Sequence, residues 1–179
     1  MQPTATKYLS IFQNTVDSFS SSLGRAVSWL TLLLVTVTFG IVVMRYVFNV
    51  GIIAIQESLL YLHSIIFLLA CAYTQKDDEH VRVDIIYRPS SKKKRAWIDI
   101  LGSFFLLLPL SIFLFYISWE YVASSWSYRE GSREAGGLNA IYLLKTLLLI
   151  MPATLFLQAL ADIARCILEL RTTNSTSSP

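Results

Sequence analysis

Four apolar runs, residues 26–48, 52–73, 96–123 and 140–164, leave this chain little room to fold in water. Each is long enough to cross a hydrocarbon core of roughly 30 Å as a helix, since about 20 residues suffice at ~1.5 Å per residue. Composition agrees: 54% of the 179 residues are hydrophobic and only 15% are charged. The apolar share exceeds the roughly 45–50% of soluble domains. The spacing predicts an all-α integral membrane protein with four transmembrane helices, arranged as two antiparallel hairpins in one domain over residues 26–171.

The polar block between the second and third runs sets the orientation. It spans residues 74–95 and ends in Lys92, Lys93, Lys94 and Arg95, with Lys76, Arg82 and Arg88 nearby. Such a bias of Lys and Arg is retained on the cytoplasmic side of a membrane. The short turn around residues 49–51 then falls on the other side. Arg165 and Arg171 follow the fourth run, whereas the loop SSWSYREGSREAGGLN sets Arg129 and Arg133 against Glu130 and Glu134. Both termini and the 74–95 loop are therefore expected inside, with the 124–139 loop outside. A net charge of +3 raises nucleic acid as a partner. The basic residues lie beside apolar spans, however, with no aromatic-interleaved basic face, which disfavours nucleic-acid binding.

Residues 1–25 read as a lead-in. Tyr8, Phe12, Val16, Phe19 and Leu23 recur every three or four positions, as on one face of an amphipathic helix lying on the membrane. The serine run Ser20, Ser21 and Ser22 leaves a partly ordered polar tail as the alternative. The first apolar run is too long for a signal-peptide core and is expected to stay as an anchor. Pro109 lies inside the third span and is expected to kink it. Residues 172–179 are Ser/Thr-rich and expected to be disordered. Trp29, Trp97, Trp119 and Trp126 fall near span ends, where indole rings favour the headgroup region. Cys71 and Cys166 have no CxxC or Cys/His grouping around them and read as free thiols.

Charged side chains within the spans call for partners, because mid-membrane ionisation costs roughly 2.5–3.5 kcal/mol on insertion scales. Arg45 lies six residues before Gly51 and Glu57 six after it, so a bend at that glycine puts them at one depth as an ion pair. The alternative for Glu57 is a carboxylate that binds a proton or a cation. Glu120 and Lys145 flank the second loop at similar distances and either pair or snorkel to the interface. His63 is alone within the spans, with His80 outside them, which speaks against paired haem ligation. Gly136 and Gly137 suit a tight bend into the fourth span. No nucleophile and base, metal cluster or phosphate loop emerges, so no cofactor is expected and an enzyme is disfavoured.

In order and spacing, four fragments resemble the small membrane subunit of tripartite ATP-independent periplasmic (TRAP) transporters, the DctQ-like family. They are RYVFN closing the first span, QESLLYLHSIIFLLACAY in the second, HVRVDII opening the inner loop and EGSREAGGLNAIYLLKTLLLIMPATLFLQALADI at the end. The family pattern often has a proline after GGL, where Asn139 stands here.

The resemblance implies a transporter of the bacterial inner membrane in which a periplasmic binding protein captures an organic acid. A large membrane subunit then carries it by ion-gradient-driven symport, and this chain, in the bilayer, scaffolds that subunit. On that basis Arg45 and Glu57 fix the first hairpin. His80, Arg82 and Asp84 order the inner loop or touch the large subunit. Glu130, Ser132, Gly136 and Gly137 lie outside, where the binding protein approaches, and Lys145 in the fourth span is a further structural residue. The rivals from other classes are a stand-alone four-span membrane enzyme, a haem-bearing electron carrier and a self-sufficient small exporter.

Overall fold

A computed structural model of the chain describes residues 4–77 and 91–176, and its regular elements are all helical. Helix α1 is Thr4–Tyr46, α2 Ile53–Lys76, α3 Lys92–Gly102, α4 Leu108–Ser127 and α5 Ile141–Thr176. A π-helical segment, Ser103–Leu107, joins α3 to α4, so the two make one helical span over Lys92–Ser127. Four helices among the described residues are thus long and apolar enough to cross a membrane. Helices suit that setting because each satisfies its own backbone polar groups in hydrocarbon.

Two helices run further than the hydropathy pattern indicates. α1 continues without a break through the lead-in and the first apolar run, a length of 43 residues. The serines are no obstacle, since Ser21 and Ser22 donate to the carbonyls of Asp17 and Ser18 one turn earlier. Back-bonding of this kind satisfies the hydroxyls within the helix without interrupting it. α5 likewise passes residue 164 and enters the Ser/Thr-rich tail, ending at Thr176. Within that extension Cys166 is buried.

Pro109 sits at the start of α4, directly after the π-helical segment. A proline inside a helix cannot donate to the carbonyl four residues back, here that of Phe105, and its ring crowds that group. Phe105 lies in the π-helical stretch, whose wider turn accommodates the missing bond. The proline therefore reshapes the span locally and does not end it.

α5 is the centre of the fold. α1 and α2 pack on each other and both pack on α5, and α3, the π-helical segment and α4 pack on α5 as well. Ala159, Ala161 and Ala164 on α5 are buried, as are Ala72 on α2 and Ala96 on α3. Such small side chains let backbones approach closely, which matters in lipid where burial of apolar area gives little driving force. Gly24 makes the same approach between α1 and α2, as a Cβ there would lie 2.5 Å from the Tyr73 ring. The large side chains point outward instead, among them Phe39, Phe67, Phe105 and Phe113. All four tryptophans are exposed at the surface.

Residues 47–52 turn the chain from α1 into α2. Asn49 adopts φ +54°, a left-handed conformation that asparagine tolerates better than most residues. The N–H groups of Val47 and Val50 donate to the carbonyls of Val43 and Met44, satisfying the last turn of α1.

Candidate functional site

Polar side chains cluster at the two ends of the helix bundle. At one end, the loop between α4 and α5 is tied down by two carboxylates. Glu57, near the start of α2, accepts hydrogen bonds from the Ser132 hydroxyl and, at 2.6 Å, from the Leu138 N–H. The Ser132 hydroxyl also accepts from the Glu134 N–H at 3.0 Å. The loop closes on itself through Ser132 N–H to Leu138 C=O and Gly137 N–H to Glu134 C=O. One carboxylate thereby bridges α2 to two points of a loop that is distant in sequence.

The glycine pair serves this contact. Gly136 has φ +84°, where a side chain is strained. At Gly137 a Cβ would lie 2.7 Å from Glu57 Oε2 and 2.6 Å from Ser132 Cβ, so only a glycine lets the loop close over the carboxylate.

Glu130 is the second anchor. It takes a 2.5 Å ion pair from Lys145 on α5 and a 2.7 Å hydrogen bond from the Ser125 hydroxyl on α4. The bond from Lys145, then that from Ser125, holds the Glu130 carboxyl below its ordinary range. The Lys145 ammonium lies 3.9 Å from the centre of the Tyr121 ring, a cation–π contact. Beside it, the Trp126 indole N–H donates to Thr146 at 2.9 Å and meets the Tyr142 ring edge-on.

The sequence-based pairings are redistributed. Arg45 is exposed and makes no ion pair with Glu57 among the described residues. The physical reason is direction: equal depth does not fix where a side chain points around its helix, and the Glu57 carboxylate is turned to Ser132 and Leu138. Lys145 pairs with Glu130, not with Glu120, which is exposed. The loop folds back towards α5 and presents the nearer acid. Glu57, Ser132 and Gly137 meet in one contact, and Glu130 and Lys145 in another. His80, Arg82 and Asp84 lie outside the described residues. His63 is exposed and stacks at 6.3 Å on Phe67.

At the opposite end sits a buried node that sequence reasoning did not single out. Gln158 on α5 is fully buried and uses both ends of its amide. Its Oε1 accepts from the Ser20 hydroxyl at 2.7 Å, and its Nε2 donates to Asp17 at 3.0 Å and to Asp162 at 3.3 Å. Asp162, also buried, accepts from Gln75 on α2 at 2.9 Å and from the Arg165 guanidinium. Arg165 in turn donates to the Lys76 carbonyl at 3.2 Å, covering the end of α2. Three helices are cross-linked by one amide and one carboxylate. A signal was present, because Gln158 and Asp162 stand one turn apart in an otherwise apolar run, the spacing of one helical face.

Both clusters spend their hydrogen-bonding capacity on joining helices, and no buried side-chain N or O among the described residues lacks a partner. Among those residues, no group of three His, Cys, Asp or Glu is placed to hold a metal ion. Their chemistry is that of fixed architecture.

No curated protein and no solved structure matches the chain significantly. One family model does, that of the tripartite ATP-independent periplasmic transporters, DctQ component, over residues 34–169. That match runs from within α1 nearly to the end of α5, taking in both anchors of the loop together with Gln158 and Asp162 but not their α1 partners Asp17 and Ser20, and the chain belongs to the DctQ family, the small membrane subunit of TRAP transporters.

Proposed function

We propose that this chain is the scaffold against which the large membrane subunit of a TRAP transporter moves, in a bacterial inner membrane, during import of an organic acid. A periplasmic binding protein delivers the substrate, and an ion gradient drives symport through the large subunit. Membership of the DctQ family is the observation that carries this reading. The internal wiring supports it, since the polar groups at both ends fasten the chain's own helices and leave broad apolar faces for neighbours. A body that braces a moving partner benefits from such rigidity.

In this reading both termini and the 74–95 loop face the cytoplasm, as the Lys and Arg bias favours. The 128–140 segment then faces the periplasm, where its exposed Tyr128, Arg129 and Arg133 are available to the binding protein. The chain itself performs no catalytic step and takes no cofactor.

The test is uptake of labelled organic acids into liposomes that contain the large subunit, with its binding protein and a sodium gradient, with and without this chain. Uptake that requires the chain is the expected result. Full uptake in its absence, or failure of the two membrane proteins to co-purify, would sink the scaffold reading.

A further inference from the structure

The loop between α4 and α5 is neutral in sequence, yet its fold sorts the charges by direction. Arg129 and Arg133 balance Glu130 and Glu134 along the chain. Glu130 turns inward, to the Lys145 ammonium and the Ser125 hydroxyl. Arg129, Arg133 and Glu134 are exposed. Neither arginine side chain makes a hydrogen bond or ion pair among the described residues.

The backbone of Arg129 is the unusual feature. α4 ends at Ser127 with Tyr128 as its cap. The Glu130 N–H donates to the Ser125 carbonyl at 3.0 Å, and the Arg129 N–H to the Trp126 carbonyl at 3.2 Å. These are the two bonds of a Schellman ending, whose left-handed position falls on Arg129, with φ +46°. Glycine is the usual occupant there because it has no Cβ to clash, so a long side chain is strained. The dipole of α4 favours a cation at this end, but for an exposed group that attraction is weaker than the strain. The fold alone therefore prefers glycine at residue 129. What the arginine adds is an exposed guanidinium at a fixed point, set by the helix ending and by the anchored Glu130 beside it.

Strain that the fold does not require marks contact sites, where a partner offsets it. Tyr128, next to Arg129, is 82% exposed, and Tyr and Arg are the residues enriched at binding hot spots. A guanidinium offers planar, paired donors that match a carboxylate in one geometry. Lipid phosphates accept such donors too, but mobile headgroups reach a cation on any flexible side chain and gain nothing from a strained, fixed backbone. We propose that Arg129, with Arg133 in the same loop, is an electrostatic anchor for a carboxylate-bearing surface of the periplasmic binding protein. The inward hold on Glu130 removes the nearest carboxylate that would compete for the guanidinium. The inference deepens the transporter reading and rests on it for both the partner and the side of the membrane.

The experiment measures association of the substrate-loaded binding protein with the full-length chain and the large subunit in nanodiscs, at low and at raised salt. Arg129→Gly is the decisive variant, because it removes the guanidinium and suits the left-handed backbone. Its unfolding temperature is expected to equal or exceed that of the wild type, while affinity for the binding protein falls about tenfold. The salt dependence of the association rate should shrink as well. Arg129→Glu, which reverses the charge, should weaken binding further. A less stable Arg129→Gly chain would assign the arginine to the fold and overturn the proposal. So would unchanged binding with loss of a preference for phosphatidylglycerol over phosphatidylcholine nanodiscs, which would assign it to lipid headgroups. The two failures are separable: if the binding protein does not associate with the wild-type complex, the transporter reading of this loop falls and takes the inference with it. If it binds the wild type and both variants alike, only the role of Arg129 falls.

Discussion

The Leu138 N–H donates to Glu57 Oε2 at 2.6 Å across 81 positions of sequence, and the same carboxylate receives the Ser132 hydroxyl. Glu57 is thus the point at which the loop between α4 and α5 is fastened to α2. Arg45 has no part in that contact. Neighbours that share a hydrogen bond deviate from additivity, whereas independent sites add within about 0.3–0.5 kcal/mol. Glu57→Ala and Ser132→Ala should therefore be strongly non-additive, while Glu57→Ala and Arg45→Ala should add. Thermal unfolding of the three single and two double variants in detergent checks both cycles. Coupling between Arg45 and Glu57 would restore the ion pair that hairpin spacing suggests.

The glycine pair offers a second test on the same contact. Gly136→Ala forces a side chain into the left-handed region and is expected to cost about 1–2 kcal/mol. Gly137→Ala acts differently, because its Cβ would displace the Glu57 carboxylate and Ser132. Hydrogen exchange separates them. Gly137→Ala should speed exchange at Leu138 by about tenfold or more through local opening, with Gly136→Ala affecting global stability instead. Equal exchange at Leu138 in wild type and Gly137→Ala would show that the carboxylate is not what closes the loop.

What sequence could reveal here was decided by the range of the interactions. Hydropathy reports the spans because their residues are contiguous, and the glycine pair reports a bend because conformation is local. The partner of Glu57 is a backbone N–H, which no residue identity advertises. Counting outward from Gly51 gives Arg45 and Glu57 a common depth, yet depth does not fix direction around a helix, and Ser132 and Leu138 occupy the carboxylate. Counting from the middle of the second loop picked Glu120 for Lys145 for the same reason, whereas the loop returns Glu130 to it. The continuity of α1 was hidden by its polar serines, whose hydroxyls bond within the helix. Gln158 and Asp162 were legible as a polar pair one turn apart, but their partners on α1 and α2 depend on how three helices meet.

The Glu130 and Lys145 pair gives the loop a pH dependence of definite sign. Its hydrogen bonds from Lys145 and Ser125 hold the Glu130 pKa below the ordinary 4.5. A carboxyl depressed by folding stabilises the closed loop fully above its ordinary value and loses that contribution as pH falls through the folded value. Exchange of the 128–140 amides should be flat from neutral pH down to the ordinary carboxyl range and accelerate only below it, as pH falls through the lowered Glu130 value, beyond the intrinsic chemical trend. Glu130→Gln removes the titrating group and should abolish that acceleration. An unchanged acid response in Glu130→Gln would assign it to another group.

Gln158 offers the most stringent test, because its amide is fully buried and joins α1 to α5 while sharing Asp162 with α2. Leucine has a similar volume and cannot hydrogen-bond, so Gln158→Leu keeps the packing and leaves Ser20, Asp17 and Asp162 each short of one partner. A buried group left unsatisfied costs about 1–3 kcal/mol. Asp17 and Asp162 retain Gln13, and Gln75 and Arg165, respectively, so a total near 3 kcal/mol is expected and not a multiple of it. Gln158→Glu should be worse at neutral pH, as it sets a third carboxylate against two others and removes the donor they share. Ser20→Ala alone should cost about 1 kcal/mol, and its effect should shrink towards zero in the Gln158→Leu background, where the hydroxyl has already lost its acceptor. Thermal unfolding and limited proteolysis near residues 4–24 measure both the stability and the grip on that part of α1. Should Gln158→Leu match the wild type within about 0.5 kcal/mol, with that part no more accessible to protease, the node would be a passive consequence of packing, and α1 would be held against α5 by its small residues alone.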